Sequence, residues 1–126
     1  MNDVKAVAKR FFDNLNNNGI GWARRFAADD MRWWVSGMGD LSKEKFLSVV
    51  GTVESLLAEP LKFTVNNIVS VGDNVFAEAR VCAPLKNGKF YNNYYCFNFI
   101  VRDDEIYQVR EYLDTRHVFD AFELED

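Results

Sequence analysis

The chain is poor in the residues that staple or metallate small proteins, with two cysteines, one histidine and two prolines in 126 residues. Cys82 and Cys96 are too few for a disulfide framework, and with a single His they offer no ligand spacing for a transition metal. No metal is expected. No basic run exists, and the net charge of −4 is spread along the chain, which argues against nucleic acid and anionic membrane as partners. No segment approaches the roughly 18 apolar residues of a membrane span. Met1-Asn-Asp-Val-Lys5 lacks the basic start and apolar run of an export signal. A soluble, cytoplasmic protein is expected from these absences. The length suits one domain, residues 1–126, whose core needs no staple.

What abounds is aromatic carbon: 15% of the chain, with eleven Phe, enough to build a core or a cavity from large rings. Val4, Val7, Ala8, Phe11, Phe12 and Leu15 fall on one stripe of an amphipathic helix. Asn14 and Asn16 to Asn18, followed by Gly19, supply its stop. A short second helix is expected over Gly21–Ala28, a strand over Met31–Ser36 and a loop at Gly37-Met-Gly39. Ser42 is placed as the N-cap of a third helix that runs through Phe46, Val49, Val50, Val53, Leu56 and Leu57 until Pro60 ends it. Four strands follow: Leu61–Val71, Val75–Leu85, Phe90–Val101 and Ile106–Asp114. Turns at Gly72-Asp73-Asn74, Asn87-Gly88 and Asp103-Asp104 join them. A short helix over Val118–Phe122 and an acidic tail, Glu123–Asp126, complete the chain. Helices first and an antiparallel meander second make an α+β fold, with helices on one face of a sheet.

A two-residue Asn87-Gly88 loop would pair Cys82 with Asn93, Arg80 with Tyr95 and Glu78 with Phe97, and would point Cys82 and Cys96 to opposite faces. At the next hairpin a strict Asp103-Asp104 loop would put Glu111 on the outer face. A three-residue turn ending in an αL residue would instead pair Tyr95 with Glu111, Phe97 with Val109 and Asn93 with Leu113. The second register keeps Val109 and Leu113 with the other apolar side chains and is the one expected. It aligns Arg80, Tyr95 and Glu111 across three strands. A carboxylate on an apolar strand face is costly unless it is paired or put to use. Arg–Glu pairs on solvated faces are also common and contribute at most about 1 kcal/mol, so for Glu78 and Arg80 a purely structural role stands beside a catalytic one.

The helix ending Phe12-Asp-Asn-Leu-Asn16, the stretch Ala28-Asp-Asp-Met-Arg-Trp-Trp34, Tyr91-Asn-Asn-Tyr94 and Val109-Arg-Glu-Tyr-Leu-Asp-Thr115 together resemble the NTF2-like superfamily, in its SnoaL-like or ketosteroid-isomerase-related branch. The resemblance spans nearly the whole chain. It implies a cone-shaped α+β barrel: a strongly curved, mostly antiparallel sheet closed by helices around a deep apolar pocket, and a homodimer through the outer sheet face. The face carrying Tyr94, Cys96, Asn98 and Ile100 would then be covered. In the epoxide-hydrolase and polyketide-cyclase branches an acid/base carboxylate lies in the last strand, where Glu111 matches. The epoxide-hydrolase branch adds an Arg and an Asp on the strand of Glu78 and Arg80, here in altered order, and its water-holding Tyr and Asn fall at Trp34 and Ser36. Ketosteroid isomerases carry a Tyr in the first helix where this chain has Phe11, and their base falls near Val35, so their mechanism is not implied.

These readings converge on a cofactor-free acid/base enzyme acting on a small apolar or aromatic molecule by isomerisation, cyclisation, dehydration or epoxide-type hydrolysis. Glu111 would be its acid or base, with Arg80 and Glu78 as partners. Trp34, Ser36, Asn93, Tyr95, Phe97, Val109, Leu113 and His117 would contact the substrate. The other reading is a non-catalytic module that binds a small ligand or a protein through the same cavity.

Overall fold

The computed structural model describes residues 3–28 and 30–124. Residues 1–2 of the Met1–Lys5 stretch, position 29 of the quoted motif and the end of the acidic tail (125–126) lie outside them.

Helix α1, Val4–Asn18, starts where the Asp3 side chain accepts from the Lys5 N–H. It buries the expected stripe, Val7, Ala8, Phe11, Phe12 and Leu15. Gly19, at φ +80°, ends it and returns its N–H to the Leu15 carbonyl, a conformation that favours residues without a Cβ. The expected second helix is a 3₁₀ segment, Ile20–Phe26. Strand β1, Arg32–Val35, turns back on β2, Gly39–Leu41, a pairing hidden within the expected loop. Helix α2, Lys43–Leu56, opens as expected, with Ser42 Oγ accepting from the Lys45 N–H.

The meander consists of β3 (Lys62–Val71), β4 (Asn74–Pro84), β5 (Phe90–Arg102) and β6 (Glu105–Leu113). Helix α3, Thr115–Phe122, is longer than expected because Asp114 caps it at the strand's end. The six strands lie in the order β2-β1-β6-β5-β4-β3. All neighbours are antiparallel except β1 and β6. The sheet does not close: it is a curved α+β sheet covered by helices, with β2 and β3 as free edges. The barrel closure implied by the resemblance is absent. Among the described residues no helix is long and apolar enough to cross a membrane.

Both hairpin registers differ from those expected. Pro84 pairs with Phe90 and the Leu85 N–H reaches the Lys89 carbonyl, so the loop has three residues, Lys86-Asn87-Gly88. Gly88 at φ +87° makes that loop possible. The added residue moves every pair by one: Val81 faces Asn93, Ala79 faces Tyr95 and Ala77 faces Phe97. Glu78, Arg80 and Cys82 therefore turn outward, opposite Cys96, Tyr94 and Asn92. The two cysteines share the outer face rather than opposite faces. Four residues along β4 still separate their rows, roughly 13 Å, and both thiols are free.

The inner face carries the core. Phe11 is its hub, with ring contacts to Phe12, Trp22, Phe26, Trp33, Phe97 and Phe99. Tyr95, Phe97 and Phe99 form a stacked ladder on β5, with centroids 5.2 and 5.7 Å apart. Asn16, expected to help stop α1, does something else. Its amide donates to the Phe63 carbonyl at 2.9 Å and accepts from the Phe63 N–H at 2.8 Å. This clamps the helix to edge strand β3 and occupies backbone groups that an edge leaves unpaired. Asn16→Ala should strip both bonds and lower stability by about 1–3 kcal/mol. Urea unfolding should show a lower midpoint at unchanged slope, and an unchanged midpoint would mean the clamp contributes nothing.

Candidate functional site

Between the inner sheet face and the helices lies a cavity of about 180 Å³. Phe11, Trp33, Phe46, Phe97 and Leu113 are among its apolar walls, and among the described residues Glu111 is the one charged group that lines it. Met38 also lines it while remaining 47% exposed, which places the β1–β2 turn at the rim.

Glu111 reaches the cavity through two features of the β5–β6 hairpin. Asp103 and Asp104 stand at φ 50° and 63°, as a two-residue type I′ loop requires. They pair Arg102 with Glu105. Alone, that loop would leave Glu111 opposite Cys96, on the outer face. Tyr107 is an extra residue, however: Val101 pairs with Ile106 and Ile100 with Gln108. This β-bulge shifts the rest of β6 by one, so Glu111 faces Phe97 and Leu113 faces Tyr95. Glu111 thus lies on the expected face, opposite Phe97 and not the expected Tyr95.

On its other side Glu111 pairs with Val35 of β1, and Trp33, two residues back on the same face, donates its indole N–H to Glu111 Oε2. Burial raises the Glu111 pKa from its ordinary 4.5 to about 7, against the opposing pull of the Trp33 hydrogen bond. The carboxyl thus changes protonation near neutrality. Trp33 is held in turn by Phe46, 4.7 Å between ring centroids.

A second polar group faces the same space. Tyr91 Oη and Tyr95 Oη lie 2.6 Å apart, and Asn93 Nδ2 donates to Tyr91 Oη at 3.0 Å. Burial lifts the Tyr91 hydroxyl to about 12 and the Tyr95 hydroxyl well above its usual 10, so both phenols are neutral at physiological pH. The charge of Glu111 adds to both shifts, which puts the carboxyl within electrostatic reach of the pair.

The remaining expected site residues divide. Tyr95, Phe97 and Leu113 line the cavity. Val109 is fully buried in the core and does not line it. Asn93 is 2% exposed and bonded to backbone and Tyr91. Ser36 donates its N–H to the Glu111 carbonyl and accepts from the Leu113 N–H, extending the β1–β6 pairing. His117 stacks on Tyr91 and accepts the Asn92 N–H at Nε2.

Three residues stand outside. Trp34 is on the outer face, 5.0 Å from the Tyr112 ring and beneath Arg110, because β1 runs parallel to β6 in a register that turns Trp33 inward. Arg80, which bonds Asn92 at 2.6 Å, and Glu78 are outward by the three-residue loop. The row Arg80–Tyr95–Glu111 does not form. Trp33 and Tyr91 are the two site residues the sequence pattern did not single out. Adjacent tryptophans of opposite facing gave no parity signal, and Tyr91 required the true β4–β5 register.

Among the described residues no group of three or more His, Cys, Asp or Glu is placed to hold a metal. A wider surface groove of about 620 Å³ lies between α1 and the β5–β6 turn. It mixes exposed Arg10, Arg25 and Arg102 with Asp103, Asp104 and Glu105, and none of the described polar residues that line it is buried.

No family model and no curated protein matches the chain by sequence. Solved structures do match by shape. An NTF2-like protein from Burkholderia pseudomallei superposes with a TM-score of 0.77 at 11% identity, over 97% of this chain and 98% of the other. A protein from Jannaschia described as a SnoaL-like polyketide cyclase gives 0.73 at 17% identity, over 98% and 93%. An LEH-like epoxide hydrolase from M. tuberculosis gives 0.71 at 16% identity, over 94% and 88%. At these identities the likeness is one of architecture, and on it, together with the open curved sheet and its helical cover, this chain has the NTF2-like fold.

Proposed function

We propose that this protein is an acid/base enzyme that works without a cofactor on a small, largely apolar molecule held in the interior cavity. One observation carries the reading: Glu111, the one carboxyl among the described lining residues, poised near pH 7 in a largely apolar cavity. A group whose pKa lies near the operating pH both accepts and returns protons efficiently. The Trp33 N–H occupies one carboxyl oxygen and fixes the group's orientation. The other oxygen is then the one to take a proton from a bound molecule and deliver it to a second atom. Isomerisation, cyclisation, dehydration and epoxide-type hydrolysis all use such a step. Arg80 and Glu78 have no part in it, being on the outer face.

The cavity also limits size. A dry apolar cavity of roughly 150 Å³ accommodates benzene. At about 180 Å³, this one suits molecules of roughly six to ten heavy atoms. A panel of epoxides and ketones in that range, followed by NMR, should reveal turnover, and Glu111→Gln should reduce it at least 10²-fold with the fold intact. Full turnover by the Gln variant would sink the reading. Binding of panel members without any conversion would favour the non-catalytic module.

The raised pKa has a thermodynamic consequence. The folded state binds the Glu111 proton more tightly than the unfolded chain does. The resulting stabilisation is fully present below about pH 4.5 and is lost as pH rises through about 7. Between those limits wild type should lose about 3 kcal/mol of stability relative to Glu111→Gln. Parallel pH dependences of the two proteins in urea unfolding would show that Glu111 titrates normally.

We also propose that two copies associate through the outer sheet face. Tyr94 (65% exposed), Phe90, Tyr112 and Phe76 lie exposed along that face, which also carries the Trp34–Arg110 stack, and exposed large apolar side chains gathered on one face mark association surfaces. Sedimentation should give a dimer mass that Tyr94→Lys shifts towards monomer, whereas a concentration-independent monomer for wild type would exclude it.

A further inference from the structure

Among the described residues that line the cavity, Met38 is the one that is exposed, at 47%. Every other lining residue is buried or half-buried. The interior therefore meets solvent at this side chain, in the turn between β1 and β2.

The turn holds its backbone and leaves that side chain free. Its base is stitched to β6: the Ser36 N–H donates to the Glu111 carbonyl at 2.9 Å, and Ser36 Oγ accepts the Leu113 N–H at 3.3 Å. The Met38 N–H closes the turn on the Val35 carbonyl at 3.0 Å. Gly37, at φ +84°, holds the third position of that turn, where a positive φ calls for glycine. A Cβ on Gly37 would come within 3.0 Å of Thr115 Cγ2, so the turn sits against the first residue of α3. Gly39 follows at φ +81°, with open space where its Cβ would be. Met38 thus stands between two residues that have no side chain to hold it. Its own arm is unbranched and turns about three bonds, and exposed side chains of that kind change rotamer within nanoseconds.

We propose that Met38 is the gate of the cavity: its side chain covers the mouth, and small apolar molecules enter and leave when it swings outward over a turn whose backbone stays in place. This rests on the reading of the cavity as a binding site and adds how that site is reached. The buried half of Met38 favours the closed position, because swinging out returns apolar surface to water. Half the burial free energy of such a side chain corresponds to a closed form favoured roughly 3- to 10-fold. A gate hinders passage in both directions, so it slows entry and exit alike and leaves affinity nearly unchanged. A residue that is only a wall behaves differently: it touches the bound molecule and changes affinity through the exit rate. The two roles are therefore separable by kinetics.

Benzene is the probe, since it fits a dry cavity of this size, and NMR line shapes give its entry and exit rates. Met38→Ala should raise both rates together, roughly 3- to 10-fold, with Kd nearly unchanged. Met38→Phe, with a larger ring on two torsions, should lower both. Rates that ignore both substitutions, or a Kd change carried by exit alone, would overturn the gate while leaving the cavity as a ligand site. Absence of benzene exchange in wild type and Met38→Ala alike would remove the ligand site, and the gate with it. Because these rates concern passage and not turnover, they test Met38 whether or not Glu111 is catalytic.

Discussion

The extra residue in β6, Tyr107, is the constraint on which the inner face depends. The Asp103-Asp104 loop starts β6 in a register that would send Val109, Glu111 and Leu113 to the outside. One bulged residue corrects it. Tyr107 itself is exposed, with Arg102 over its ring at 4.4 Å. Beyond the bulge, Val109 closes the core and Glu111 enters the cavity, while Arg110 and Tyr112 join Trp34 on the outer face. Strand periodicity of two makes the choice all-or-none. Bulges recur beside functional sites because they re-aim a side chain without rebuilding a sheet.

Placing a carboxyl inside has consequences for its neighbours. An unpaired buried charge is costly, and here the cost is reduced in two ways: the Trp33 indole bonds the carboxyl, and the pKa rises until the neutral form is accessible near pH 7. The other polar groups of the interior are arranged with similar economy. Asn93 is satisfied by backbone at both ends of its amide and still has one hydrogen for Tyr91. No buried side-chain nitrogen or oxygen among the described residues lacks a partner. The rest of the cavity is aromatic and aliphatic, centred on Phe11, so the few polar groups act in a weakly screening environment where each hydrogen bond counts for more.

The fold itself says little about chemistry. Architectures of this kind are scaffolds on which different sites are built, and the solved structures that share this one do so at 11–17% identity. Functional meaning therefore rests on side chains. In this chain the polar side chains of the interior are Glu111 with Trp33 on one wall, and Tyr95 with Tyr91 and Asn93 on another.

Local chemistry made much of the architecture legible. The α1 stripe, the Ser42 cap, the Pro60 stop and the turn residues at 72–74, 87–88 and 103–104 each act over a few residues, and neighbours in sequence determine them. They were enough for the order of the helices and long strands, the α+β class and the inward face of Glu111, which the apolar residues on either side of it demand. Pairing across strands was another matter. Asn87-Gly88 serves a two-residue or a three-residue loop equally well by composition, and that single residue sent Glu78, Arg80 and Cys82 outside. The tandem Trp33-Trp34 carries no alternation to read. Only the parallel partnership with β6 decided that Trp33 meets Glu111 and Trp34 meets Tyr112 and Arg110 on the outer face. The Tyr91–Tyr95 pair and the second role of Asn16 likewise join residues whose contact depends on sheet register and helix docking. Sequence by itself determined the helices, the long strands and the buried face of β6; tertiary structure decided the facing of β1 and β4 and who meets whom, because a one-residue offset changes every cross-strand partner while leaving each local pattern intact.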